Sequence, residues 1–200
     1  NYLYCQTTDW VVSFGGVASD KGISIGTDSL GYIYGSGYFN NQATFGGITL
    51  TNKPLSTSGN NKENFVFKMD SMGNVLWAIP GGNQEYGCCD DRALGMHVTP
   101  GGDVFITGTF WSSYYLGVRG APGTINVAGN QLNAHDNSLL AKIDKDGNPI
   151  WVIGFGGDEG AGSGYNCPYP IYDADDHSYD VKVDKDGFIY VTGFFSGLSA

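Results

Sequence analysis

Three stretches of the chain align on one another without a gap, and this self-similarity limits the fold more than any other property. Asp20 to Gly37, Asp91 to Gly108 and Asp176 to Gly193 each start on aspartate, carry an internal glycine at the same place (Gly31, Gly102, Gly187) and end on glycine 17 positions after the start. An apolar-rich run follows each internal glycine: Tyr32-Ile33-Tyr34, Val104-Phe105-Ile106 and Phe188-Ile189-Tyr190-Val191. Each window therefore reads as strand, glycine turn, strand. A second pattern lies between the windows, where Phe67 to Trp77 matches Ala141 to Trp151, again without gaps. It predicts another hairpin, whose last strand runs into Gly81-Gly82 or Gly156-Gly157; Trp10 to Gly16 has the same form. Trp10, Trp77 and Trp151 are thus equivalent, and Trp111 stands apart.

Four predicted strands per unit, repeated every ~70 to 85 residues, point to an all-β chain of β-propeller-like, four-stranded antiparallel blades. Composition agrees. Glycine supplies 32 of 200 residues with no three-residue period, charged residues only 15%, and hydrophobic residues 41%, enough for a core at this length. Twenty acids against ten bases give a net charge of −10, which repels nucleic acid and anionic membrane surfaces. No apolar run approaches the ~20 residues of a membrane-spanning helix, so neither nucleic acid nor membrane insertion is expected. The sequence opens at Asn1 without a charged and apolar leader, as expected if an export signal has been removed or if a longer chain continues upstream.

Three segments carry a more specific likeness: Gly187-Phe-Ile-Tyr-Val-Thr-Gly-Phe-Phe195 after its leading aspartate, Ala43-Thr-Phe-Gly-Gly-Ile-Thr-Leu-Thr51, and Asn64-Phe-Val-Phe-Lys-Met-Asp followed by Gly73-Asn-Val-Leu-Trp77. Together they resemble the SBBP-type β-propeller repeats of secreted bacterial surface proteins. The resemblance covers most of the chain and implies a propeller fold and an extracellular or cell-surface location. The pattern is broken at Tyr114 to Gln131 and in the loop from Asp158 to Asp175.

Numbering strands outward from the propeller axis, the first blade is expected at 21–28, 31–39, 64–70 and 75–80, and the second at 93–99, 103–110, 138–144 and 149–155. A third unit contributes only strands one and two, at 178–184 and 188–195. Tyr2 to Gln6 resembles Phe65 to Met69 across a shorter turn, so it and Trp10 to Phe14 supply strands three and four. The chain divides accordingly into a half-blade (1–16), blade one (17–82), blade two (83–157), and a long loop with a second half-blade (158–200). The halves are complementary. Unpaired blade edges are templates for another chain, so self-association through open edges is the expected partnership. Three solutions stay open: the sequence is part of a longer propeller, two chains combine into a six-bladed ring, or the C-terminal half-blade of one copy completes the N-terminal half-blade of the next. The last is a heterologous contact that gives a filament unless the rotation closes.

Chemistry-bearing motifs are few. Gly22-Ile23-Ser24-Ile25-Gly26 satisfies the nucleophile-elbow pattern, but Ser24 aligns with Gly95 and Asp180 on a strand, and no helix follows. Asp144, Asp146 and Asn148, with Asp184 and Asp186, have the alternate-oxygen spacing that begins a calcium loop, leaving calcium as the one cofactor in view. Aspartate capping and glycine turn geometry explain the same residues. The cluster Asp173, Asp175, Asp176 is a comparable candidate. Asp20, Asp91 and Asp176 recur in each unit, which favours structure over catalysis. His97, His135 and His177 lack zinc spacing.

Cys5, Cys88, Cys89 and Cys167 are disulfide candidates with three pairings open. Trp111, Tyr114 and Tyr115 form an aromatic group that could meet a glycan, or else cover an outer blade edge. No catalytic residue is assigned. The reading is a non-enzymatic, secreted structural or adhesive protein that self-assembles. The alternatives are a carbohydrate- or protein-binding module of a longer propeller and, with least support, an extracellular hydrolase or lyase.

Overall fold

The computed structural model describes residues 10–52, 62–82, 91–111, 113–117, 121–128, 136–155 and 176–194. Among these residues there is no helix, and every strand pairing is antiparallel. The order is β1 (Lys21–Thr27), β2 (Ile33–Asn40), β3 (Gln42–Phe45), β4 (Ile48–Thr51), β5 (Lys62–Met69), β6 (Val75–Gly82) and β7 (Arg92–Val98). It continues with β8 (Val104–Trp111), β9 (Ser113–Leu116), β10 (Ile125–Ala128), β11 (Asp136–Ile143), β12 (Pro149–Phe155), β13 (His177–Val183) and β14 (Ile189–Phe194).

The repeat governs the pairing. Unit one is β1-β2-β5-β6, unit two is β7-β8-β11-β12, and unit three is the hairpin β13-β14. Even the irregularities recur: the first hairpin of each unit is bulged at Gly22/Ser24, Ala93/Gly95 and Ser178/Asp180. The last hairpins of units one and two are bulged at Lys68/Met69 and Lys142/Ile143. The turns share one solution. Asp28, Asp70, Asp144 and Asp184 each use Oδ1 to accept the N–H groups two and four residues on, at 2.8–3.0 Å. Glycine at positive φ then completes the reversal, as at Gly73 and Gly147.

Two departures from the expected layout change how the units meet. Between the second and third strands of units one and two lies an inserted hairpin, β3-β4 or β9-β10. The second of these pairs with the neighbouring unit, Leu116 with Gly81 and Tyr115 with Gly82, so the first sheet holds six strands rather than four. Residues 10–14, expected as a strand, have no ladder, because no described strand lies along them. Their continuation makes one bridge, Gly15 with Thr44 of β3. In both places a Gly-Gly pair meets the inserted hairpin of the following unit. No sheet among the described residues closes into a barrel.

The core follows the unit boundaries. One cluster joins units one and two through Tyr34, Val66 and Ile79 on one side and Ala93, Met96, Ile106, Leu139 and Ala141 on the other. A second lines the rear of unit one, with Phe45, Phe65, Phe67 and the partly buried Phe14. A smaller third joins units two and three through Phe105, Leu140 and Val181.

Candidate interaction surface

The seam between units one and two shows what a finished junction contains. Tyr34 of β2 is fully buried there, its ring 6.1 Å from that of Trp77 in an edge-on arrangement. Its hydroxyl donates to Asp28 Oδ2 at 3.0 Å. Burial, and then this bond, hold the phenol well above its usual range. The Lys68 ammonium lies 4.2 Å from the Tyr32 ring centre and 5.1 Å from that of Tyr34. It donates to the Lys145 carbonyl of unit two at 3.0 Å, and the Trp77 indole N–H donates to the same oxygen at 3.2 Å. The indole lies over Gly147 so closely that an added methyl would meet it at 2.9 Å.

The same contact appears one unit earlier. Trp10 Nε1–H donates to the Ser71 carbonyl at 2.8 Å and lies beside Gly73. Ser71 and Lys145 hold one repeat position, as do Gly73 and Gly147. Trp151, the third indole, packs edge-on against Phe105 at 6.0 Å but has no such turn beside it among the described residues.

Among the described residues unit three is the hairpin β13-β14 alone, and its burial differs accordingly. Tyr190 occupies the position of Tyr34 and makes the same bond, donating to Asp184 Oδ2 at 3.0 Å, yet it is 57% exposed where Tyr34 is fully buried. Ile153 on β12 is 49% exposed, whereas its equivalent Ile79 is 8% exposed. Among the described residues β14 pairs only with β13, which leaves its other edge open where β2 and β8 each have two neighbours.

The rear of unit one is also open. A cleft of ≈ 400 Å³ is lined by Phe14, Gly22, Ile25, Gly35, Phe65 and Phe67, among others.

The sequence candidates fall elsewhere. Asp144 and Asp184 spend their carboxylates on their own turns, Asp144 also accepting from the Asn148 side chain at 3.0 Å. Asp146 and Asp186 pair with Lys145 and Lys185. No group of three metal-ligating side chains occurs among the described residues. The four cysteines, His135, Asp173 and Asp175 lie outside the described residues. Tyr114 and Tyr115, considered as glycan contacts, are instead packed under the seam: Asn64 donates to the Tyr114 hydroxyl, and the Tyr115 hydroxyl donates to Glu63 at 2.7 Å. Trp111 is the last residue of β8. Ser24 sits on β1 and donates to the Leu94 carbonyl at 3.3 Å, with no helix beyond it. Burial, then the Lys182 charge, hold His97 below its usual range. His177 stacks on Tyr179. The interaction surface itself was missed at the level of side chains: the repeat aligns Tyr190 with Tyr34, which is fully buried, and gives no sign that Tyr190 is exposed.

The turn carboxylates set an acid limit on stability. The Asn74 side chain and backbone hold Asp70 low. At Asp144 and Asp184 burial acts upward, and hydrogen bonds from Asn148 or Phe188 outweigh it. A depressed folded-state value stabilises the fold above the ordinary carboxylate value of 3.8, and this contribution disappears as pH falls through the lower value. Urea melts should therefore weaken below that pH, and replacing all three aspartates with asparagine should flatten the acid limb.

Compared with models of known protein families and with the curated proteins, the chain matches none.

Proposed function

We propose that this chain is a non-enzymatic structural or adhesive protein, secreted to a bacterial surface, whose units are propeller-type blades that assemble head to tail through composite blades. The observation that carries this reading is the contrast between β14 and its equivalents. The second strand of units one and two is buried and paired on both edges, whereas β14 is mostly exposed and open along one edge among the described residues. An open strand recruits a partner by backbone hydrogen bonding. The sequence of residues 2–14 repeats that of strands three and four, a pair with no counterpart beside β13-β14 among the described residues.

The recurrence of turn aspartates at Asp28, Asp70, Asp144 and Asp184 also supports a structural role, since catalysis needs its groups once. Secretion and the surface location rest on the SBBP-like repeat pattern, and the −10 charge favours neutral or cationic partners over nucleic acid.

Electron microscopy and light scattering of the purified chain test the proposal. Filaments or closed rings are expected, and deleting Ser178 to Ala200 should return the chain to single molecules that keep their β-sheet circular dichroism. Discrete single-chain particles from the intact protein would overturn assembly and favour a binding module.

A further inference from the structure

The cleft at the rear of unit one and the exposed Tyr190 on unit three are the two halves of the seam that buries Tyr34. Aligned through the repeat, the cleft residues Gly22, Ile25, Gly35, Phe65 and Phe67 become Ala93, Met96, Ile106, Leu139 and Ala141. All five of those side chains belong to the buried cluster that also contains Tyr34. The cleft is thus a second example of that cluster's unit-two side, with nothing from the described residues in the place of Tyr34.

A matching relation holds at the turns. The Tyr34 hydroxyl lies against Gly102, where an added methyl would meet it at 2.8 Å. The equivalent glycine of unit one, Gly31, has the same positive φ and open space beside it. In the repeat frame the ring that belongs to this turn is Tyr34, Phe105 or Tyr190 of the preceding unit; Gly187, which follows the unit of Phe105, has open space beside it as Gly31 does, so a tyrosine hydroxyl is what reaches the glycine. Tyr190 already has the required posture, its hydroxyl held by Asp184 as that of Tyr34 is held by Asp28.

We propose that Tyr190 of one chain plugs the unit-one cleft of a second copy, and that this contact fixes the register of the composite blade. This rests on the head-to-tail reading above and names its central contact. Backbone pairing along β14 alone would tolerate slippage; a ring seated between Ile25 and the turn at Gly31 would not. Because donor and acceptor are different surfaces of the same chain, each addition presents a fresh pair.

Sedimentation of the full chain across a range of concentrations provides the test. Tyr190→Ala removes the plug from an exposed site. Gly22→Trp fills the cleft from a position where an added Cβ meets nothing within 4 Å, so the variant is expected to fold. Each should raise the concentration for half-assembly by about tenfold or more, as for a central interface anchor. Ile150→Lys serves as the control, since Ile150 is 48% exposed and its equivalent Leu76 is 49% exposed even beside a completed neighbour. It should assemble as the unaltered chain does. Unaltered assembly of both Tyr190→Ala and Gly22→Trp would overturn the plug while leaving composite assembly in place. An unaltered chain that stays monomeric throughout would overturn both.

Discussion

Gly108→Ala is expected to cost on the order of 3 kcal/mol or more, at or beyond the upper end of small-to-large core substitutions. Gly108 faces Ala93 across the bulge between Ala93 and Gly95. An added Cβ there would fall inside the van der Waals envelope of the Arg92 carbonyl oxygen and against the Ala93 backbone. Neither obstacle is the end of a flexible side chain, so relief requires moving one strand away from the other. Both strands are held: β8 lies between β7 and β11, and β7 packs Ala93 and Met96 into the seam with unit one. Urea melts should show a large drop in midpoint. Gly101→Ala, with only the Thr99 hydroxyl nearby at 4.0 Å, should change stability by no more than about 0.5 kcal/mol. An equal effect at the two sites would contradict the bulge argument.

Tyr34→Ala should destabilise by about 3–5 kcal/mol, the range for removing a buried aromatic ring. The loss combines the cavity, the edge-on contact with Trp77 and the support of the Lys68 ammonium. Tyr34→Phe keeps the ring and loses the bond to Asp28, so about 1 kcal/mol is expected. The same alanine substitution at Tyr190 should leave the melting of the dissociated chain nearly unchanged, since that ring is mostly exposed. Two positions that match in sequence would then differ in thermodynamic weight solely through what covers them. Calorimetry at concentrations below assembly makes the comparison.

Much of this architecture was legible before any coordinates. The glycines at 31, 102 and 187 located the turns, and the tryptophans at 77 and 151 located the last strand of units one and two, because both residue types answer to local geometry. The inserted hairpins were harder to read. Thr44 and Phe45 belong to a segment with a recognisable pattern, but Tyr114 to Gln131 does not share it. The strand at Ser113–Leu116 finds its sheet partner in another unit. Tyr114 and Tyr115 therefore looked like surface aromatics, although the pairing of Leu116 and Tyr115 with Gly81 and Gly82 brings that strand onto unit one, where both tyrosines are buried. A sequence clue did exist: the Gly-Gly pair recurs after each Trp strand, and at Gly16, Gly81 and Gly82 an added Cβ would collide with the Gln42 carbonyl or with the Asn64, Tyr114 and Glu63 side chains. The exposed face of unit three could not be read from alternation alone, since Tyr190 and Tyr34 sit in the same pattern. What separates them is what covers each ring: unit two covers Tyr34, and no described unit covers Tyr190.

The indole contacts at the seams bear on how such a chain can grow. Trp10 and Trp77 each address a backbone carbonyl and a glycine of the next turn, and the side chain bearing that carbonyl is serine in one case and lysine in the other. A junction read through main-chain atoms makes no demand on the identity of the residue that supplies them. Surface positions around the turn can therefore drift in charge and size while the docking code stays constant. A duplicated unit would bring a turn that already meets this requirement, leaving the apolar side chains of the seam as what has to be matched.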